Sequence, residues 1–272
     1  MITDNQIVVK SNDVIEASYS LDSVEYHVLH ACIAQIDSTT DLDTKTKFDL
    51  HVQDYAKLTG TSTNKAYTRL QEAAAKLFDR KVYIRNANSI RQNDYLVTRW
   101  ISGIRYVQEK GKITLTFSPD ILPYLSQLQS NFTKYELQNV SKMRSIYAIR
   151  LYEWLMQWRT SQCLDVSLDD YRHRLRIVDK YPSIKDLKLY TLKPALKGIN
   201  ETSDIIVEFT QKKRGRTITN FIFTWEYKKP QNTNKKISQK KSITPEEYSD
   251  LHPRKTHGKT RAEVISMIKN DC

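Results

Sequence analysis

The chain has 272 residues, enough for one large or two small domains with real cores, and a formal net charge of +12. That charge is uneven: Lys plus Arg against Asp plus Glu number 16 and 16 over residues 1–141, 16 and 10 over 142–227, and 11 and 5 over 228–272, which points to a polyanion handled mainly by the second half. No long apolar run or amphipathic anchor favours a membrane, Met1-Ile2-Thr3-Asp4 opens no signal peptide, and Cys32, Cys163 and Cys272 are odd in number and far apart, which fits reduced cytosolic thiols and excludes a CxxC metal knuckle.

Residues up to about Asp22 read as a short arm. Val24, Val28, Leu29, Cys32, Ile33 and Ile36 then repeat at helical spacing, so a helix is expected from Ser23 to near Asp37, followed by a polar loop to Lys47. Phe48-Asp49-Leu50-His51-Val52 predicts a strand, and residues 53–58 a helix broken at Gly60. Residues 64–78 predict a second helix burying Tyr67, Leu70, Ala74 and Leu77, with Thr61-Ser62-Thr63-Asn64 supplying caps. The two helices about Thr59-Gly60-Thr61 form a plausible helix-turn-helix. Strands are expected at 82–85, 100–107 and 113–117, with Lys110-Gly111 as a turn, and Pro119 and Pro123 close the unit. Residues 127–141 read as a connector.

The plan then repeats. Ile146, Ile149, Leu151, Tyr152 and Leu155 mark a long helix ending near Arg159; residues 164–168 predict a strand and 169–175 a short helix. From Lys185 an amphipathic helix follows, whose Leu189, Leu192, Leu196 and Ile199 fall in one stripe at about 100° per residue and are expected to be core. Leu187, Tyr190, Thr191 and Pro194 fall opposite, with Lys188, Lys193 and Lys197 on the flanks. Ile205-Ile206-Val207-Glu208-Phe209 is a strand by its β-branched content, Lys212-Lys213-Arg214-Gly215-Arg216 a hairpin tip, and Ile218, Phe221, Phe223 and Trp225 lie on the returning strand.

A helix followed by a hairpin with a cationic tip is the second half of a winged helix, in which the helix enters a major groove and the wing lies along phosphates. The plainer reading is a solvated helix face and a soluble turn. Asp54-Tyr55 answers to Asp170-Tyr171 and Tyr67-Thr68 to Tyr190-Thr191, so the fold class is α+β, two tandem winged helices related by internal duplication. The division expected is 1–126, a connecting segment 127–141, 142–227, and a basic, largely flexible tail 228–272. In that tail Thr244-Pro245 starts a short helix and residues 261–269 are a candidate second one.

Tyr147-Ala148-Ile149-Arg150-Leu151-Tyr152-Glu153 resembles a motif of the twin winged-helix plasmid replication initiators that bind iterons. Leu122-Pro123-Tyr124-Leu125 with Phe132-Thr133, the run from Asp186-Leu187-Lys188 to Ile199-Asn200, and the wing resemble further elements of that family, over roughly residues 20–227. The resemblance implies a protein that binds double-stranded DNA: repeats in a plasmid origin as a monomer and, through its N-terminal unit, an inverted operator as a self-repressing dimer. It also implies host initiator and helicase partners in a bacterial cytoplasm. Carried over, Lys188 and Tyr190, with Lys185, Thr191 and Lys193 on the same helix, fall among DNA-contacting positions. Lys212, Lys213, Arg214 and Arg216 would hold phosphates, and Lys65 and Arg69 are the candidates in the first unit. Where the family often has Glu-Ile-Asn this chain has Gly198-Ile199-Asn200, and the missing carboxylate is expected to loosen the end of that helix.

Rival readings have weaker support. A rolling-circle nuclease needs a His-apolar-His metal pair, whereas His27 and His30 are spaced for packing on one helix. No GxxxxGK[ST] occurs, and Asp169-Asp170 opens a helix, where acidic residues serve the dipole. Neither catalytic residues nor a metal or cofactor are therefore expected. A winged-helix transcriptional repressor would use the same fold and charges, and is the alternative.

Overall fold

The computed structural model describes residues 6–85 and 94–228; the tail and its two candidate helices lie outside them. The N-terminal segment is core rather than an arm. Ile7–Ser11 forms β1, and the Ser11 hydroxyl accepts the Asp13 N–H to start α1 (Asn12–Glu16). Val8, Val14, Ile15, Tyr19 and Leu21 are each no more than 2% exposed. Burying such side chains is worth about 1.5–3 kcal/mol apiece, and a free arm would forgo that.

Helix α2 (Ser23–Ile33) opens on a capping box: Asp22 accepts from the N–H groups of Val24 and Glu25, and Glu25 accepts from Asp22 N–H at 2.6 Å. Strand β2 (Phe48–His51) leads into α3 (Val52–Thr59), which Gly60 ends at φ 69°, a left-handed position that costs glycine nothing. Helix α4 (Thr63–Asp79) follows, then β3 (Lys81–Arg85), β4 (Tyr95–Arg99), β5 (Ile101–Val107) and β6 (Lys112–Phe117). Strand β4 was not expected. It pairs with β3 as a separate ladder, while β2, β6 and β5 make a three-stranded sheet in that order. The supposed connector holds β7 (Phe132–Glu136), antiparallel to β1 with Val8 opposite Tyr135, and α5 (Gln138–Ser141). The arm and the connector go astray together, because β1 and β7 pair with each other from far apart in the chain and close no local hairpin.

In the second half α6 (Ile146–Gln157), β8 (Cys163–Ser167) and α7 (Leu168–Arg174) precede α8 (Ile184–Leu187), a π turn (Lys188–Leu192) and α9 (Lys193–Thr202), three pieces of one helix. The hairpin β9 (Ile205–Arg214) and β10 (Thr217–Tyr227) ends the described chain. Its sheet runs β8-β10-β9, the same order as β2-β6-β5, so the two halves share the winged-helix topology. The first carries the β3–β4 ladder as an insertion, which departs from an unbroken match of elements. Among the described residues no helix is long and apolar enough to cross a membrane.

Candidate nucleic-acid interface

The helix α8–α9 does not bury the expected stripe. Leu192 and Ile199 are core and Leu196 is half-buried, but Leu189 is 45% exposed while Leu187 and Thr191 are fully buried. The cause is the π turn, in which the Lys193 N–H reaches back to the Lys188 carbonyl. Pro194 accounts for it: proline has no N–H to give the Tyr190 carbonyl, and its ring would strike that carbonyl in a regular α-helix. A wider turn relieves the clash and rotates everything before it by about one position. The Thr191 hydroxyl donates to the Leu187 carbonyl at 2.6 Å and meets the Tyr171 hydroxyl at 3.0 Å. Thr191 is thus a packing residue, and its nomination as a DNA contact is corrected.

The other nominated residues are at the surface, in different states. Lys185 and Lys193 are exposed. Lys188 is half-buried, hydrogen-bonded to Gln211 Oε1 and 5.8 Å from the Phe209 ring centroid, so it ties the helix to the wing. Tyr190 is 53% exposed, and its ring stacks on Tyr181 at 5.5 Å and 24°. Tyr181 lies in the loop before α8 with φ 52°, a costly backbone for tyrosine. Arg172 of α7 holds it there, donating to the carbonyls of Lys180 at 2.6 Å and Tyr181 at 2.7 Å. Sequence reasoning passed over both Arg172 and Tyr181, because a fork onto backbone carbonyls leaves no periodic trace.

The wing is longer than expected. Strand β9 continues through Lys212 and Lys213 to Arg214, which pairs with Thr217 across a tight turn of Gly215 (φ 63°) and Arg216. All four cations are exposed. Lys212 stands 3.6 Å from Asp165, but both side chains face water, so the pair adds little stability and leaves the lysine available. In the first unit Lys65 and Arg69 are exposed on α4, whereas the turn between β5 and β6 shows only Glu109 and Lys110, and Lys112 is bound by Asp49. Among the described residues, the hairpin tip with four exposed cations is that of the second unit.

Burial also corrects the internal alignment. Ala66, Leu70 and Ala74 of α4 are buried at the spacing of Leu187, Thr191 and Ala195. Tyr67 therefore matches Lys188 and Arg69 matches Tyr190, not Tyr67-Thr68 with Tyr190-Thr191. Each helix sets one aromatic and one cation at these two positions, in opposite order. The match of Tyr55 with Tyr171 holds, both being 1% exposed.

The core holds a charge cluster that composition did not foretell. Glu153, fully buried, takes hydrogen bonds from Tyr135 at 2.7 Å and Arg150 at 3.2 Å, meets His30 at 3.1 Å, and pairs with Lys10. Burial alone would raise its pKa, but Lys10, His30 and Arg150 together hold the carboxyl well below the usual range. Arg150 also donates to the Tyr19 hydroxyl at 2.6 Å and the Ala17 carbonyl at 2.7 Å. Arg150 and Glu153 are the charged members of the motif at 147–153, and their partners show them to be structural. Among the described residues no group of three or more His, Cys, Asp or Glu is placed to hold a metal.

The model of the initiator replication protein family's first winged helix matches residues 7–156, and that of its second matches residues 167–225. A replication initiation protein of Escherichia coli is 30% identical over 227 residues, covering 81% of this chain and 69% of its own. The PI protein of Escherichia coli is 25% identical over 230 residues, covering 72% of this chain and 74% of its own. The fold is shared with a crystal structure of the Pi initiator in complex with iteron DNA, at a TM-score of 0.72 and 23% identity, covering 84% of this chain and 99% of that one. The chain belongs to the initiator replication protein family.

Proposed function

We propose that this protein binds repeated sequences in the origin of the plasmid encoding it and starts replication there, with the second winged helix supplying most of the affinity. The observation that carries this is the joint exposure of Lys185, Tyr190 and Lys193 on α8–α9 and of Lys212, Lys213, Arg214 and Arg216 on the wing. A groove-sized helix and a cationic strand pair on one unit fit the major groove and the adjoining phosphates. Lys65 and Arg69 add a second contact from the first unit. Dimerisation through that unit, repression of its own gene, recruitment of host initiator and helicase, and residence in the bacterial cytoplasm complete the reading.

Footprinting of the purified protein on DNA flanking its own gene tests it. Protection is expected over direct repeats about two helical turns apart beside an AT-rich stretch. Protection of an inverted repeat alone would make the protein a repressor without an initiator role. Affinity should fall steeply with salt, each phosphate contact adding about 0.9 to the log–log slope. Four wing cations require a slope of at least about 3, and a shallower slope removes the wing from the interface.

A further inference from the structure

We propose that Leu189 is a base-reading residue, contacting the 5-methyl group of thymine in the major groove; this rests on the DNA-binding reading above. Leu189 is 45% exposed at a position that helical periodicity assigns to the core, turned outward by the π turn before Pro194. It sits four residues after Lys185 and four before Lys193, both exposed, so one apolar side chain lies between two cations on a single ridge. The next residue, Tyr190, is also exposed and its ring is fixed by stacking on Tyr181, so the turn that carries Leu189 is braced.

That pattern selects its partner. A protein partner seated on Leu189 would need carboxylates placed on both sides of one apolar pocket to match Lys185 and Lys193. A DNA groove offers both at once: phosphates on its walls for the lysines, and on its floor a single apolar group, the thymine methyl. The donor and acceptor edges of the other bases give leucine nothing to bond.

The test uses the full chain and a duplex carrying the footprinted site, with each thymine replaced in turn by deoxyuridine, which removes the methyl and keeps the pairing. At one or two positions the wild-type protein should bind about fourfold more weakly, the size expected for one buried methyl group. Leu189→Ala should bind the all-thymine duplex about fourfold more weakly and cease to distinguish uracil at those positions, while Lys193→Ala keeps the distinction. Equal wild-type affinity for every uracil duplex overturns the proposal, as does a Leu189→Ala protein that still discriminates everywhere. A protein that leaves no footprint fails the DNA-binding reading itself; a salt-sensitive footprint indifferent to uracil fails only this one.

Discussion

His27 sits in the core with its Nε2 3.1 Å from the Met143 carbonyl, and burial, aided by His30, pushes its pKa down to about 4. Unfolded, the same imidazole takes up a proton near pH 6.5. Between those values the unfolded chain binds more protons than the folded one, so stability is lost as pH falls through the window, by up to about 1.4 kcal/mol per pH unit for this group. His30 is also lowered, first by burial and then by Lys10, and acts in the same sense. Replacing His27 by Gln keeps a donor for the Met143 carbonyl and removes one titration. Urea unfolding at pH 5, 6 and 7 should show the stability of His27→Gln falling less steeply with acid than that of the wild type. Parallel curves would mean that His27 takes up its proton equally in the folded and unfolded chains, so that burial does not lower its pKa.

At the scale of elements, the close approach of α6 and α9 turns on Gly198. A Cβ there would stand 2.8 Å from the Ala148 Cβ, on a helix backbone that cannot rotate away. Gly198→Ala gains about 1 kcal/mol of helix propensity and meets about 1–3 kcal/mol of overpacking, so it should lower the urea midpoint. In an Ala148→Gly background the obstacle is gone and the same change should raise it. A fall in both backgrounds would show that the contact is not the obstacle. Without that carboxylate the end of the helix has other ties: Asn200 clasps the N–H and carbonyl of Val207, and the Lys228 ammonium donates to the carbonyls of Asn200 and Ser203. Helices α2, α3, α4, α6 and α7 and the wing were legible because their patterns are local and regular. Strands β1, β4 and β7 were not: β1 and β7 find their partner only across the whole first unit, and β4 runs into β5 with a single residue between them. The face of α8–α9 departs from its periodicity because Pro194, which regular spacing puts opposite the stripe, disturbs the turn before it. The wing cations read directly from sequence, while the Arg172–Tyr181 brace behind Tyr190 did not.

Across the molecule, segment 7–21 is shared by both halves. Lys10 pairs with Glu153, Arg150 reaches Tyr19 and the Ala17 carbonyl, Trp154 donates to the Ile15 carbonyl at 3.0 Å, and the Ser18 hydroxyl donates to the His173 carbonyl at 2.7 Å. Helix α6 thus meets the N-terminal segment on one side and α9 on the other, which agrees with a family match for the first winged helix that runs through residue 156. Removing one partner of a buried ion pair leaves the other uncompensated and costs about 3–5 kcal/mol, whereas removing both costs less. Glu153→Gln strands Lys10 and Arg150, so it should destabilise the whole protein by about that amount, and adding Lys10→Met should return part of the loss. Because α6 carries the cluster and also packs on α9, and Ser18 reaches His173, calorimetry should show one cooperative transition for the wild type, shifted as a unit in Glu153→Gln. Two wild-type transitions, with only the first moved by the substitution, would mean that the winged helices fold independently. The spacing between α4 and α8–α9 would then not be set by the protein alone.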